Sequence, residues 1–220
     1  MSTSVMSDST GTVEKFGRED VDIISDDVVY QGFYQLRHLH LRHKLFNGGW
    51  SNTISRELFN RHDAVGVLLY DPLLEKIALV EQVRVGVIGS DIAKEGNKSP
   101  WLLELVAGLI DKEELPEEVV ARESLEEAGV RIQKLVKITE YYSSPGGSNE
   151  YFYLFAGKTD LSVAGGVFGL EEEGEDIRVH LFSLDECWEL LAQGKLLNAH
   201  TIIAVQWLKM NVARLQQDWC

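Results

Sequence analysis

Three glutamates, Glu123, Glu126 and Glu127, lie within Pro116 to Ala128, a run of strong helix formers with proline at its start. On a helix, residues three and four apart share a face, so the spacing predicts three carboxylates on one side. Like charges this close repel, and the single neighbouring cation, Arg122, cannot serve all three. A hard divalent ion is the natural partner of clustered oxygen ligands; Mg²⁺ takes one or two carboxylates together with substrate phosphates. The same spacing also suits a solvated acidic face, so the helix by itself leaves both readings open. A second acidic run, Glu171-Glu172-Glu173-Gly174-Glu175, falls in the glycine-punctuated stretch Leu161 to Glu175. That stretch reads as a long loop, either simply exposed or functional, as long loops in compact domains often are. If the segment is extended, Glu173 and Glu175 point to the same side.

Elements must carry these groups. Ala64 starts a main domain in which Val65 to Tyr70, Lys76 to Arg84, Leu102 to Ala107, Arg131 to Tyr142, Tyr151 to Lys158 and Ile177 to Phe182 read as strands. Leu184 to Ala192 and Thr201 to Gln217 read as helices, Gly86 to Pro100 as loop, and Gly129 as the stop of the glutamate helix. Helices between and after strands predict an α/β sandwich with a mixed sheet. Before it, Val21 to Leu58 reads as a small antiparallel β domain with a hairpin turn at Asn47-Gly48. Residues 1–14 are small and polar and read as a disordered tail, which leaves 15–60 for the β domain and 61–220 for the main domain. By periodicity, Phe33 is a core residue, as are Trp207 and Leu208. The run His38, His40, His43 reads as a polar strand face rather than a zinc site.

A chain of 220 residues with 45% hydrophobic and 25% charged residues is ordinary for a globular protein. The net charge of −14 argues against a nucleic-acid or anionic-membrane binder, which needs a basic face. No run of 18 apolar residues is present, and the first residues lack a basic start and apolar core, so the expectation is a cytoplasmic chain without a leader. Cys187 and Cys220 form no disulfide or zinc pattern and fit free thiols in a reducing compartment.

Wider spacing turns the balance toward a metal site. Gly108, Glu114, Arg122-Glu123, Glu126-Glu127, Gly129 and Val130 fall in the register G-x5-E-x7-R-E-U-x-E-E-x-G-U, with U a bulky aliphatic residue. This resembles the Nudix box at eight of nine constrained positions; Ser124 is the departure, a small residue able to bond back within its helix. Pro145, fifteen residues after Val130, and the stretches Leu45-Phe46-Asn47-Gly48, Trp101-Leu102-Leu103-Glu104, Gly169 to Val179 and Ala204-Val205-Gln206-Trp207-Leu208 are similar to the ADP-ribose-hydrolysing branch of that family. The likeness runs from about Phe16 to the C-terminus, and Val85 to Lys98 departs from it in length.

The resemblance implies an α/β/α Nudix sandwich preceded by a small β domain exchanged across a homodimer. It implies that Glu123, Glu127, Glu175 and the Ala107 carbonyl hold Mg²⁺, or Mn²⁺ in its place, with Glu126 in the same cluster, and that Glu173 is the general base. It implies substrate contacts from Arg84, Arg56, Glu57, Arg61 and Leu109, from Phe33 and Tyr34 around the adenine, and from Ser144, Pro145, Gly146 and Glu150 at the terminal ribose. An arginine fork suits a pair of diphosphate oxygens, and equally a surface ion pair. The implied reaction is hydrolysis of ADP-ribose to AMP and ribose 5-phosphate. The alternatives are another nucleoside diphosphate sugar such as GDP-mannose, a nucleotide-sugar sensor without turnover, and a structural dimerisation protein.

Overall fold

A computed structural model of the chain describes residues 16–220, so the tail expected at 1–14 lies outside the described residues. Two compact units divide the chain: one runs through Arg61 and includes Gly146–Ser148, and the other is His62–Pro145 with Asn149–Cys220.

The first unit is a three-stranded antiparallel sheet in the order β1 (Val21–Gln31), β2 (Gln35–His43), β3 (Ile54–Asn60). Its β2–β3 connection turns where Asn47-Gly48 predicts, with Gly48 N–H donating to the Leu45 carbonyl and Lys44 bridging to Trp50. Periodicity placed Phe33 in a core, but it is 73% exposed at the β1–β2 turn. The reason is that the two-residue period stops at the end of β1, and Phe33 belongs to the turn rather than to a pleat.

The second unit is a mixed sheet whose main path runs β10 (Gly166–Phe168), β11 (Ile177–Ser183), β5 (Lys76–Val83), β4 (Ala64–Asp71), β9 (Tyr151–Lys158), β8 (Lys134–Tyr142). Strand β4 runs parallel to β9 and antiparallel to β5. Every residue of β4 is buried because both faces are covered. Val65, Val67 and Leu69 enter a core with Val119, Val120 and Ala128 of helix α3 (Pro116–Ala128). Ala64, Leu68 and Tyr70 enter another with Cys187 of α4 (Leu184–Ala192) and with Ala204, Val205, Leu208 and Leu215 of α5 (Ala199–Trp219). Alternation along one strand thus builds both layers of an α/β/α sandwich.

Three local expectations are corrected. Residues 86–100 are not all loop: α1 (Val85–Ile88) and α2 (Asp91–Glu95) form there, and the Ser90 hydroxyl accepts from Ala93 N–H at the start of α2. The single strand expected over Leu102–Ala107 is two, β6 (Trp101–Glu104) on β5 and β7 (Val106–Leu109) on β4. The chain changes partner at Leu105, whose N–H donates to Thr201 Oγ1 of α5 instead of to a ladder. The stretch 161–175 holds β10 and a 3₁₀ turn at Glu171–Glu173.

Candidate active site

Helix α3 is framed at both ends. Pro116 occupies its first turn, and the Glu118 carboxylate accepts the Leu115 N–H that would otherwise be orphaned. Gly129 closes it in the left-handed conformation at φ +66°, with Val130 N–H returning to the Ser124 carbonyl. Ser124, the residue that departs from the box, is fully buried and donates its hydroxyl to the Val120 carbonyl at 2.7 Å. Its polarity is thereby satisfied inside the helix and leaves the carboxylate face unchanged.

On that face each glutamate has a distinct anchor. Arg122 donates to Glu123 at 2.7 Å, to Glu126 at 3.1 Å and to Glu114 at 3.2 Å. Glu127, 2% exposed, instead accepts the Ala107 N–H at 3.1 Å. Because Ala107 spends its N–H on α3 rather than on β4, its carbonyl, which leaves a strand on the same side, is turned toward the same helix. Gly108 is glycine for a steric reason: a Cβ there would fall inside the Glu123 carboxylate.

The electrostatics are those of a site short of positive charge. Burial pushes the Glu127 carboxyl up to about 8, and the charges of Glu123 and Glu175 add to that, against the Ala107 N–H and the charge of Arg84. Burial likewise pushes Glu123 up to about 7, with Glu126 and Glu175 reinforcing and Arg122 opposing. Burial would lower the Arg122 pKa, but its bonds to Glu114 and Glu126 and the charge of Glu123 outweigh that and raise it. Among the described residues, no three carboxylate or imidazole groups stand assembled as metal ligands, since Glu123 and Glu126 are turned to Arg122. The donor set nonetheless fits a hard divalent ion: buried oxygen donors, mutually repelling, which gain most from an added positive charge.

The late acidic segment reaches the same neighbourhood. Gly169 N–H donates to the Glu126 carbonyl at 3.3 Å, and Glu175 is folded back so that its carboxylate accepts Leu170 N–H at 3.1 Å. Glu171, Glu172 and Glu173 are exposed, and their side chains have no hydrogen bond or ion pair among the described residues. The extended geometry expected for Glu173 and Glu175 is not found: Glu173 ends a 3₁₀ turn and Gly174 is left-handed at φ +70°. The chain reverses there, so the two-residue rule for strands does not set where these side chains point.

Arg84 ends β5. Its Nε donates at 2.6 Å to Glu104, a carboxylate 3% exposed on β6, and Glu104 in turn accepts from Asn198 Nδ2 at 2.9 Å. Sequence reasoning quoted Glu104 in the family-like stretch Trp101 to Glu104 but gave it no site role, and it passed over Asn198; a charge inside the apolar run Trp101 to Val106 was a further signal. Leu109 is half-buried at the end of β7, Ser144 and Pro145 are exposed after β8, and Glu150 is buried just before β9. Gly146 belongs to the first unit. So do Phe33 and Tyr34, which meet edge to face at 4.7 Å, Tyr34 with Phe59 at 5.1 Å, and Arg61 over the Tyr34 ring at 5.1 Å. Arg56 and Glu57 lie on β3, opposite Leu39 and His38.

Comparison with known proteins places this geometry. The NUDIX domain matches residues 60–209. The ADP-ribose pyrophosphatase of Haemophilus influenzae is 42% identical, over 94% of each chain. The enzyme of the same name from Escherichia coli K12 is 38% identical, over 93% of this chain and 95% of its own. A GDP-mannose pyrophosphatase of Cronobacter sakazakii is 30% identical over 87% of this chain and 96% of its own. The solved structure of an ADP compounds hydrolase covers 93% of this chain and 99% of its own at a TM-score of 0.66; at 17% identity it speaks for the fold alone. With that domain matched across most of the chain, and relatives aligned almost end to end, the chain belongs to the Nudix family.

Proposed function

We propose that this Nudix hydrolase cleaves the diphosphate of ADP-ribose with Mg²⁺, Mn²⁺ serving in its place, and releases AMP and ribose 5-phosphate. The observation that carries the reading is the buried Glu127 carboxylate of the box helix, held by the Ala107 N–H and close enough to Glu123 and to Glu175 of the late loop to feel their charges. Glu123, Glu127, Glu175 and the Ala107 carbonyl would hold the ion, with Glu126 beside them. A bound divalent ion neutralises the diphosphate and makes the attacking water more acidic. The protein supplies the rest. Arg84 presents a guanidinium to the diphosphate oxygens. Glu173, exposed and untethered, takes a proton from the attacking water and needs only to come within one hydrogen bond of it. A loop flanked by Gly169 and Gly174 can make that approach. Leu109, Ser144, Pro145, Gly146 and Glu150 contribute substrate contacts.

The second reading, a GDP-mannose hydrolase, is favoured by the name of the Cronobacter relative. A substrate panel with Mg²⁺ decides between them, with nucleoside monophosphate release as readout. ADP-ribose should be turned over with the highest kcat/KM; a higher value for GDP-mannose makes the second reading correct, and binding without turnover makes the chain a sensor. The net charge of −14 supports a nucleotide-sugar substrate over a nucleic acid. Among the described residues no helix is long and apolar enough to cross a membrane. We place the protein in the cytoplasm, where Cys187 and Cys220 stay reduced.

We also propose a homodimer in which the three-stranded unit, which runs through Arg61, supplies Phe33, Tyr34, Arg56, Glu57 and Arg61 to the partner's substrate. Supporting this, Phe33, Phe46, Tyr30, Val29 and Val28 are all more than half exposed on that unit, an apolar display that a covered surface would explain. Light scattering at assay concentration checks it: a fully active monomer rules it out.

A further inference from the structure

We infer that Glu104, held by Asn198, is a positioning residue that fixes the plane of the Arg84 guanidinium; the inference rests on the reading that Arg84 takes the diphosphate. Each Glu104 oxygen has one donor, Arg84 Nε at 2.6 Å and Asn198 Nδ2 at 2.9 Å. The Asn198 amide has no freedom to turn over. Its Oδ1 caps α5 by accepting from His200 N–H at 3.0 Å and Thr201 N–H at 3.4 Å, so Nδ2 must face Glu104. The Arg84 backbone is fixed as well, its N–H donating to the Pro100 carbonyl and its carbonyl accepting from Val87. What is left is the outer edge of the guanidinium. Among the described residues Nη1 and Nη2 have no hydrogen-bond partner, and together they carry four of the five N–H donors.

A purely structural ion pair is a poor account of this arrangement. The Arg84 side chain is 41% exposed and the Glu104 side chain 4%, so a buried carboxylate is desolvated to hold a cation that is half in water. A leucine, as at the adjacent Leu103 and Leu105, would fill β6 without that cost. Pinning through Nε does what burial of the whole pair would not: it sets the guanidinium plane and leaves the forked edge open. A fork ordered beforehand loses less freedom on binding an oxygen pair, and misplacement by about 1 Å can cost ~10²-fold in rate.

The test uses a reciprocal exchange. Glu104→Gln presents one acceptor and one NH₂ to two donors, so one contact is lost. Adding Asn198→Asp restores the match. The carboxylate introduced on α5 accepts from the amide introduced on β6 and still caps its helix, while the oxygen of that amide accepts from Arg84. Two readouts are taken on the full-length protein: kcat and KM for ADP-ribose with Mg²⁺, and calorimetric affinity for its α,β-methylene analogue without metal. Expected are a loss of about 10- to 100-fold in kcat/KM for Glu104→Gln, weaker analogue binding, recovery of most of both in the double variant, and no further loss when Glu104→Gln is added to Arg84→Gln. Should Glu104→Gln unfold, Asn198→Ala, which retains the Arg84 pair, carries the same cycle. An equal loss in the Arg84→Gln background, or values within twofold of wild type, overturns the role. A wild-type protein that binds the analogue without turnover sinks the hydrolase reading, and the Glu104 cycle is then read from binding; one that does neither sinks both.

Discussion

On α3 every glutamate of the cluster has a donor, Arg122 for Glu123 and Glu126, the Ala107 amide for Glu127. In the segment Glu171–Glu175 only the last one does, through Leu170 N–H, and the three before it stand in solvent. The burial follows the same line: Glu127 is 2% exposed and pushed up to about 8, while Glu171, Glu172 and Glu173 are exposed. A group that must hold an ion is best fixed before the ion arrives, and a group that must collect a proton at the right moment is best left able to move. The difference supports the proposed division of roles, ligation by the helix and Glu175 and proton transfer by Glu173.

The sharpest way to break that assignment is on the helix. Glu127→Gln keeps the shape and the Ala107 contact but removes the charge, so turnover should fall below detection with the fold intact by circular dichroism. Chelation should do the same to the wild type and be reversed by Mg²⁺. Full activity in excess chelator would end the metal-centred account.

The next effect belongs to the loop. Positioned acid–base groups contribute ~10²–10⁴-fold, so Glu173→Gln should lower kcat by about that factor with KM little changed, the pattern of an interaction made in the transition state. Near wild-type kcat moves the base to Glu126, Glu172 or Glu171. A smaller and different change is expected for Glu175→Gln: a higher Mg²⁺ concentration for half-maximal rate, and recovery of kcat at saturation. An unchanged Mg²⁺ dependence removes Glu175 from the ligands.

The two regions were also unequally readable. Helix α3 was legible residue for residue, because Pro116, the i, i+3, i+4 spacing and Gly129 are all local signals. Its carboxylate face was legible for the same reason, and the box spacing decided what the helix alone left open. The reversal at Gly174 was not, since an acidic run carries no period that tells a 3₁₀ turn from an extended strand. Nor was the break at Leu105, which no glycine or proline marks; it is made by a hydroxyl on Thr201, 96 residues further along the chain. Glu104 escaped because its meaning lies in Arg84 and Asn198, neither near it in sequence. Phe33 was misread because periodicity reports pleats and it sits in a turn.

The smallest expected effect tests the contrast without any substrate. Glu123 and Glu127 have pKa values raised from 4.5 to about 7 and about 8, chiefly by burial. Between about 4.5 and 8 the folded chain therefore holds protons that the unfolded chain has released, and stability falls wherever the folded state binds more protons as pH rises. In chelator, these two groups should make Tm decline from pH 5 to pH 8, at roughly 2–4 °C per kcal/mol for a chain of this size. Mg²⁺ binds the ionised form, so it should raise Tm more at pH 8 than at pH 5. The loop provides the control. Glu127→Gln should flatten the decline, whereas Glu171→Gln and Glu172→Gln, which change exposed carboxylates, should leave its slope alone. If Glu127→Gln leaves the slope of the chelated protein unchanged, Glu127 ionises as freely as a surface carboxylate. The helix and the loop would then not differ in the property on which their separate roles depend.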